Sequence, residues 1–265
     1  MKKLLALVLT AMMLVASLAL VACGENVEVS EIKIVAATTE YTAGKKFTLD
    51  YTVVPEEAKE DVKVNWEISD ARRLSYEKGE FTAHTFGTVK VKATVKGSDA
   101  SDEIELKINV PSGFKEYSDN GFQLAYPSNW TSTQLGLIQT WFAADNSTNM
   151  NVATEPLNAT YFKASASDFQ STLTTQLRLL GYTVKFLKPT KLQKDTSLGV
   201  KRLRLDYFYS ATVSGETLTF YQTQIVMNNE SENLSCVLTV THLEENFTDS
   251  AELLQEQIID QFIIK

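Results

Sequence analysis

Beyond residue 30 hydrophobic and polar positions alternate with period two. Phe47, Leu49, Tyr51 and Val53 share one parity, against Thr48, Asp50 and Thr52. Val62, Val64, Trp66 and Ile68 repeat the pattern, as do Val89, Val91, Ala93 and Val95, then Ile104, Leu106, Ile108 and Val110. Strict alternation predicts strands with one buried and one wet face. Several such strands between turn residues predict an all-β sandwich over residues 31–110. The pattern stops at Pro111-Ser112-Gly113, which reads as a short linker, 111–113.

From residue 114 to 265 the periodicity is mixed. Phe169, Leu173, Leu177 and Leu180 form a helical stripe that Ser165 or Ser167 can cap and Gly181 can end. Ala251, Leu254, Ile258 and Phe262 form a second stripe behind Thr248 or Asp249. Between them Leu203, Leu205, Tyr207 and Tyr209 alternate with Arg202, Arg204, Asp206 and Phe208, and Leu234, Cys236, Leu238 and Val240 alternate in turn. Val237 is apolar on the opposite parity. The order predicts an α+β domain, 114–265, with two helices covering a twisted antiparallel sheet.

Ahead of both regions, Lys2 and Lys3 precede an uncharged apolar run from Leu4 to Val21. This is the pattern of a signal peptide, 1–22; an uncleaved anchor helix is the alternative. The run closes on Leu20-Val21-Ala22-Cys23, which resembles the bacterial lipobox. The resemblance implies cleavage before Cys23 and lipidation of its thiol by a diacylglyceryl group carrying palmitate-type chains. It implies a protein on the extracytoplasmic face of the cell membrane. Whether the Cys23 amine is acylated too stays open. Residues 23–30 would be the tether, and the seven residues after Cys23 span at most about 25 Å.

Charge and cysteine content narrow the partners. Without Lys2 and Lys3 the chain carries 23 basic against 33 acidic residues. The acidic excess is shared evenly across Pro111, so neither region is built to neutralise nucleic-acid phosphates. Cys236 is the other of the two cysteines, so the predicted domains must hold by core packing without a disulfide.

Gly44 before Lys46–Val54, Pro55-Glu56-Glu57-Ala58, Val64-Asn65-Trp66-Glu67-Ile68-Ser69-Asp70, Gly79-Glu80-Phe81-Thr82-Ala83 and Gly87 follow in an order that resembles the group 2 bacterial immunoglobulin-like domain. The sequence departs from that family at Ala71-Arg72-Arg73-Leu74-Ser75, where a run of small residues is usual. The resemblance implies a spacer or adhesive module without catalytic residues, with Trp66 filling the core. The second region opens with Phe114-Lys115-Glu116-Tyr117 and Phe122 to Trp130, a strand entering a Pro-x-x-Trp turn. With the segment Asn151–Glu155, Tyr221-Gln222 and the closing helix into Phe262, it resembles the PsbP/DcrB-like superfamily. That likeness implies an accessory or binding subunit with no shared catalytic motif.

Candidate chemistry is sparse. His84 and His242 are the only histidines, too few for a histidine-rich zinc site. His84 reads as a surface loop residue and His242 as a partly exposed residue at a strand edge. Cys236 reads as a buried structural thiol. Asp145, Ser147, Asn149 and Asn151 have calcium-loop spacing, but Met150 and Pro156 stand where Gly and Glu belong; a polar turn is the plainer reading. Lys185, Lys188, Lys191, Lys194, Lys201, Arg202 and Arg204 form a basic cluster. It reads as the wet face of neighbouring strands, with headgroup or anionic-polymer contact as the alternative. No catalytic, cofactor-binding or metal residue is assigned; Cys23 is the one site residue. The function expected is a non-enzymatic lipoprotein with the sandwich as stalk and the α+β domain as binding head. Its partners would be the membrane, through Cys23, and an envelope protein, polymer or small ligand. The alternative is a carrier of a small apolar ligand, with Tyr207, Tyr209, Phe169 and Leu173 as pocket walls; a hydrolase ranks last.

Overall fold

The computed structural model describes residues 28–119, 121–197 and 200–265. Residues 1–22 and Cys23 lie outside them, so the expected leader, the expected lipidation at Cys23 and most of the expected tether fall outside the described residues. The contacts divide the described chain into a smaller unit (28–35, 50–67 and 92–103) and a larger one (36–49, 68–91 and 104–265).

The N-terminal region is all β: β1 (Glu31–Val35), β2 (Glu40–Thr42), β3 (Lys46–Phe47), β4 (Asp50–Val54), β5 (Val64–Ile68), β6 (Leu74–Glu77), β7 (Glu80–Ala83), β8 (Gly87–Val95) and β9 (Ser101–Asn109). They form three small sheets, β1-β4, β2-β9-β8-β5 and β3-β7-β6. In the smaller unit β1 and β4 pair antiparallel and bury Ile32, Ile34 and Val53. Val29 is buried too, and its carbonyl accepts from Ser98 Oγ at 2.8 Å. Packed chain therefore reaches into the expected tether, 23–30. Trp66 is half-buried and stands edge-on to Tyr51, with ring centroids 6.5 Å apart. The buried side chains of this unit are small aliphatics, and Trp66, expected to fill the core, is only half-buried.

The predicted strand 46–54 is interrupted at Thr48-Leu49. Its first part, β3, pairs with β7, and its second, β4, pairs with β1. Alternation survives the change of partner because the break keeps the parity of the chain.

The C-terminal region holds β10 (Phe114–Ser118), β11 (Phe122–Pro127), β12 (Thr131–Leu135), β13 (Ile138–Phe142), β14 (Thr148–Pro156), β15 (Thr183–Phe186), β16 (Lys191–Ser197), β17 (Val200–Val213), β18 (Glu216–Asn229), β19 (Leu234–Leu243) and β20 (Ile263–Ile264). Its helices are α1 (Ala166–Leu179) and α2 (Asp249–Asp260). The main sheet runs β12-β13-β14-β19-β18-β17-β15, with β16 also beside β17. All its pairings are antiparallel. Strand parity assigns the faces. Leu203, Leu205, Tyr207, Tyr209 and Val226 meet Phe169 and Leu173 of α1. Ile225, Cys236, Leu238 and Val240 meet Ile258, Ile259 and Phe262 at α2. Val237, odd in the sequence pattern, packs on the α1 side. A helix on each face requires that central strands be apolar on both.

Ser165 caps α1 in a reciprocal box with Asp168, and Gly181 (φ +87°) ends it. Thr248 caps α2 by accepting from the Ala251 N–H at 3.3 Å. An all-β region followed by a two-helix α+β region is thus observed.

Candidate functional site

A cleft of about 800 Å³ opens in the larger unit. One wall is the turn 42–45 with Thr82, Ala83 and His84; the other is the end of α2 through Ile263, with Val200, Arg202 and Met227. The turn is set by backbone bonds: the Gly44 N–H donates to the Ala83 carbonyl at 2.8 Å and the Ala83 N–H to that of Lys45 at 2.9 Å. Gly44 sits at φ +81°, where a side chain would be strained.

Behind the cleft lies a polar cluster built on Arg72 and Arg73. Arg72 forks onto Asp70 at 2.9 and 3.1 Å and donates to the Ile264 carbonyl at 3.0 Å. Arg73 donates to Gln123 Oε1 at 3.1 Å and to the Phe86 carbonyl, which also accepts from Gln123 Nε2 at 2.9 Å. Burial works against the Asp70 carboxylate, but the Arg72 hydrogen bonds and the charges of both arginines outweigh it and hold its pKa low. Gly87 is required beneath this cluster. It sits at φ +123°, and a Cβ there would stand 2.0 Å from Arg73 Nη1.

His84 is half-buried rather than a surface residue. Its Nε2 meets Ser75 Oγ at 2.7 Å, and its backbone joins the Arg73 carbonyl and, at 2.7 Å, Gln261 Nε2. Burial lowers its pKa and favours the neutral ring. Ser75 and His84 are two members of a nucleophile–base arrangement. Among the described residues no carboxylate hydrogen-bonds to His84, and Ser75 is not on the cleft wall.

Gln261 lines the cleft, is 3% exposed, and its Oε1 has no partner among the described residues. A buried acceptor left unpaired costs roughly 1–3 kcal/mol, and this one is itself shielded from the open cleft. Arg202 on the same wall is already paired with Asp195 at 3.0 and 3.1 Å. Lys45 and Asp260 also line the cleft, so its walls combine apolar side chains with charged ones.

The other sequence candidates fall elsewhere. Tyr207, Tyr209, Phe169 and Leu173 are core, not the walls of this cleft. Tyr207 Oη donates to Gln224 at 3.2 Å and Tyr209 Oη to Gln222 at 3.0 Å; burial pushes the Tyr209 phenol up to about 12. His242 is not at an edge. It lies on β19 between β14 and β18, is 2% exposed, and bonds Thr148 at 2.8 Å and Gln255 of α2 at 3.1 Å. Asp145 and Ser147 form a turn closed by the Ser147 N–H at 3.0 Å, while Asn149 and Asn151 belong to the β13–β14 ladder. Cys236 is buried, and burial pushes its thiol up to about 12. In the basic cluster Arg204 is half-buried in a fork onto Glu256 of α2 at 2.7 and 2.8 Å.

Among the described residues no group of three or more His, Cys, Asp and Glu side chains is placed to hold a metal ion. No described helix is long and apolar enough to cross a membrane.

No protein-family model matches the chain, and no curated protein matches it. Among solved structures it is similar to cyanobacterial PsbP (CyanoP) from Synechocystis sp. PCC 6803, at 12% identity and a TM-score of 0.47, over 58% of this chain and 94% of that one. It is also similar to the Ran-binding protein Mog1p of Saccharomyces cerevisiae, at 10% identity, a TM-score of 0.37 and coverage of 57% and 95%. LpqN of Mycobacterium tuberculosis, involved in cell envelope biogenesis, matches at 14% identity and a TM-score of 0.34, over 57% of this chain and 91% of that one.

Arg72, on the cleft, lies in the 71–75 stretch that departs from the resemblance, but nothing in that stretch foretold a cleft. Gln261 gave no signal, since its role depends on His84, far away in the chain.

Proposed function

We propose that the chain is an extracytoplasmic lipoprotein, held at a membrane by lipid on Cys23 and acting as a non-enzymatic binding or accessory module. In this reading residues 31–110 are an immunoglobulin-like stalk and residues 114–265 a PsbP/DcrB-like binding head. The observation that carries it is the Leu20-Val21-Ala22-Cys23 lipobox behind a charged and then apolar leader. The test is fatty-acid labelling of the full chain in a bacterial host, followed by membrane fractionation. The wild type should take label and stay with the membrane. Cys23→Ser should take none, and equal labelling of both would overturn the anchor.

The cleft favours a second reading, a carrier of a small ligand. Its volume lies within the range of small-molecule sites. The pocket would be this cleft instead of the tyrosine core. Native mass spectrometry of protein purified from its host should then show a bound molecule. Consistently empty protein would remove the carrier reading and leave the accessory module.

A further inference from the structure

From Phe169 to Lys194 the chain contains no Asp or Glu, yet it contains Arg178, Lys185, Lys188, Lys191 and Lys194. In a chain of net charge −8 this is a sharp local inversion. The fold gathers the segment along one border. The end of α1 turns at Gly181 straight into β15. β15 pairs with residues 209–212 of β17 and β16 with residues 200–206, so the two follow one another along the same edge of the main sheet. Arg178, Lys185, Lys188 and Lys191 are exposed, and among the described residues none of the four is in a salt bridge. By contrast, Lys201, Arg202 and Arg204 each have an acidic partner.

Leucines stand among these cations in sequence. Leu179 is 82% exposed, Leu180 70% and Leu187 41%. Edge lysines alone would be explained as a guard against strand pairing. That guard gives no reason for consecutive exposed leucines at the end of an otherwise amphipathic helix. Lys188 Nζ also stands over the Phe208 ring, 4.5 Å from its centroid. Exposed cations outside any ion pair of the described residues, beside exposed apolar side chains, match the two layers of a membrane surface, anionic headgroups over acyl chains.

We propose that this border, the C-terminal end of α1 with β15 and the turn into β16, docks on an anionic lipid bilayer. The cations meet the headgroups, and Leu179 and Leu180 enter the interface. The surface needs no lipid on Cys23, so it is testable apart from the anchor.

The experiment is vesicle flotation with a chain beginning at Gly24, which keeps every described residue. Vesicles of phosphatidylcholine alone are compared with vesicles carrying roughly one-third phosphatidylglycerol. Binding should occur on the anionic vesicles and fall away near 0.5 M salt, where the screening length is roughly 4 Å. Lys185→Gln/Lys188→Gln/Lys191→Gln should weaken it by about fivefold per cation, roughly a hundredfold in all. Leu179→Ser/Leu180→Ser should weaken it several-fold at low salt, with an unchanged melting curve showing an intact fold. Equal binding to both vesicle types, or an unaffected triple variant, overturns the proposal. So does binding to soluble polyglycerol phosphate without binding to the vesicles, which would assign the border to a wall polymer.

Discussion

Cys236 belongs to the core under α2, fully shielded, with its thiol raised to about 12 by burial. A thiolate is the reactive form, so a thiol reagent at pH 8 should leave it untouched in native protein and modify it in urea. Fast labelling of the native chain would refute that shielding. His84 and His242 make the fold sensitive to acid. Burial lowers both pKa values, with the Gln255 hydrogen bond opposing it at His242. The unfolded chain therefore binds more protons below the ordinary histidine value near 6.5. Stability is fully present above that pH and is lost as pH falls toward the folded values. Urea midpoints should drop between pH 7.5 and 5.5, and His84→Gln with His242→Gln should flatten the slope. His242 also shows where residue-level reading fails. Its strand parity was legible, but its burial depends on β14, β18 and Gln255, which no local pattern reveals.

Among the elements, the helices were the most legible. Both caps and the Gly181 stop lie within a few residues of their helices, so local sequence encodes them; the first stripe ends early, because Leu180, expected in it, is 70% exposed. Ser165→Ala removes one half of the capping box and should cost about 1 kcal/mol, read as a shift in urea midpoint without a change in slope. The strands were legible as alternation but not as partners. Nothing local reveals that residues 46–54 change neighbours at Thr48-Leu49, because hydrogen bonding to β7 or β1 is decided by distant chain. The α2–β17 fork is similarly non-local: Arg204 on one element meets Glu256 on the other. Arg204→Ala leaves Asp206, whose side chain is 11% exposed, without its cation. It should cost about 2 kcal/mol, discounted because Glu256 is partly solvated.

For the molecule as a whole, the order of an all-β region before an α+β region was legible from the change of period at Pro111. The cleft was not, since its walls join residues 177 positions apart. Arg72 bridges a longer interval, 192 positions, to reach the Ile264 carbonyl. Arg72→Ala should cost about 2 kcal/mol by freeing that carbonyl and leaving Asp70 with Arg73, at 3.3 Å, as its remaining cation. Denaturation followed by Trp141 fluorescence would measure it.

The buried Val29 bears on where the chain can be cut. Its side chain is shielded and its carbonyl is held by Ser98 Oγ at 2.8 Å, so a protease reaches the Val29–Ser30 bond only after that segment has left its unit. Brief digestion of native protein should spare this bond, and digestion in urea should open it.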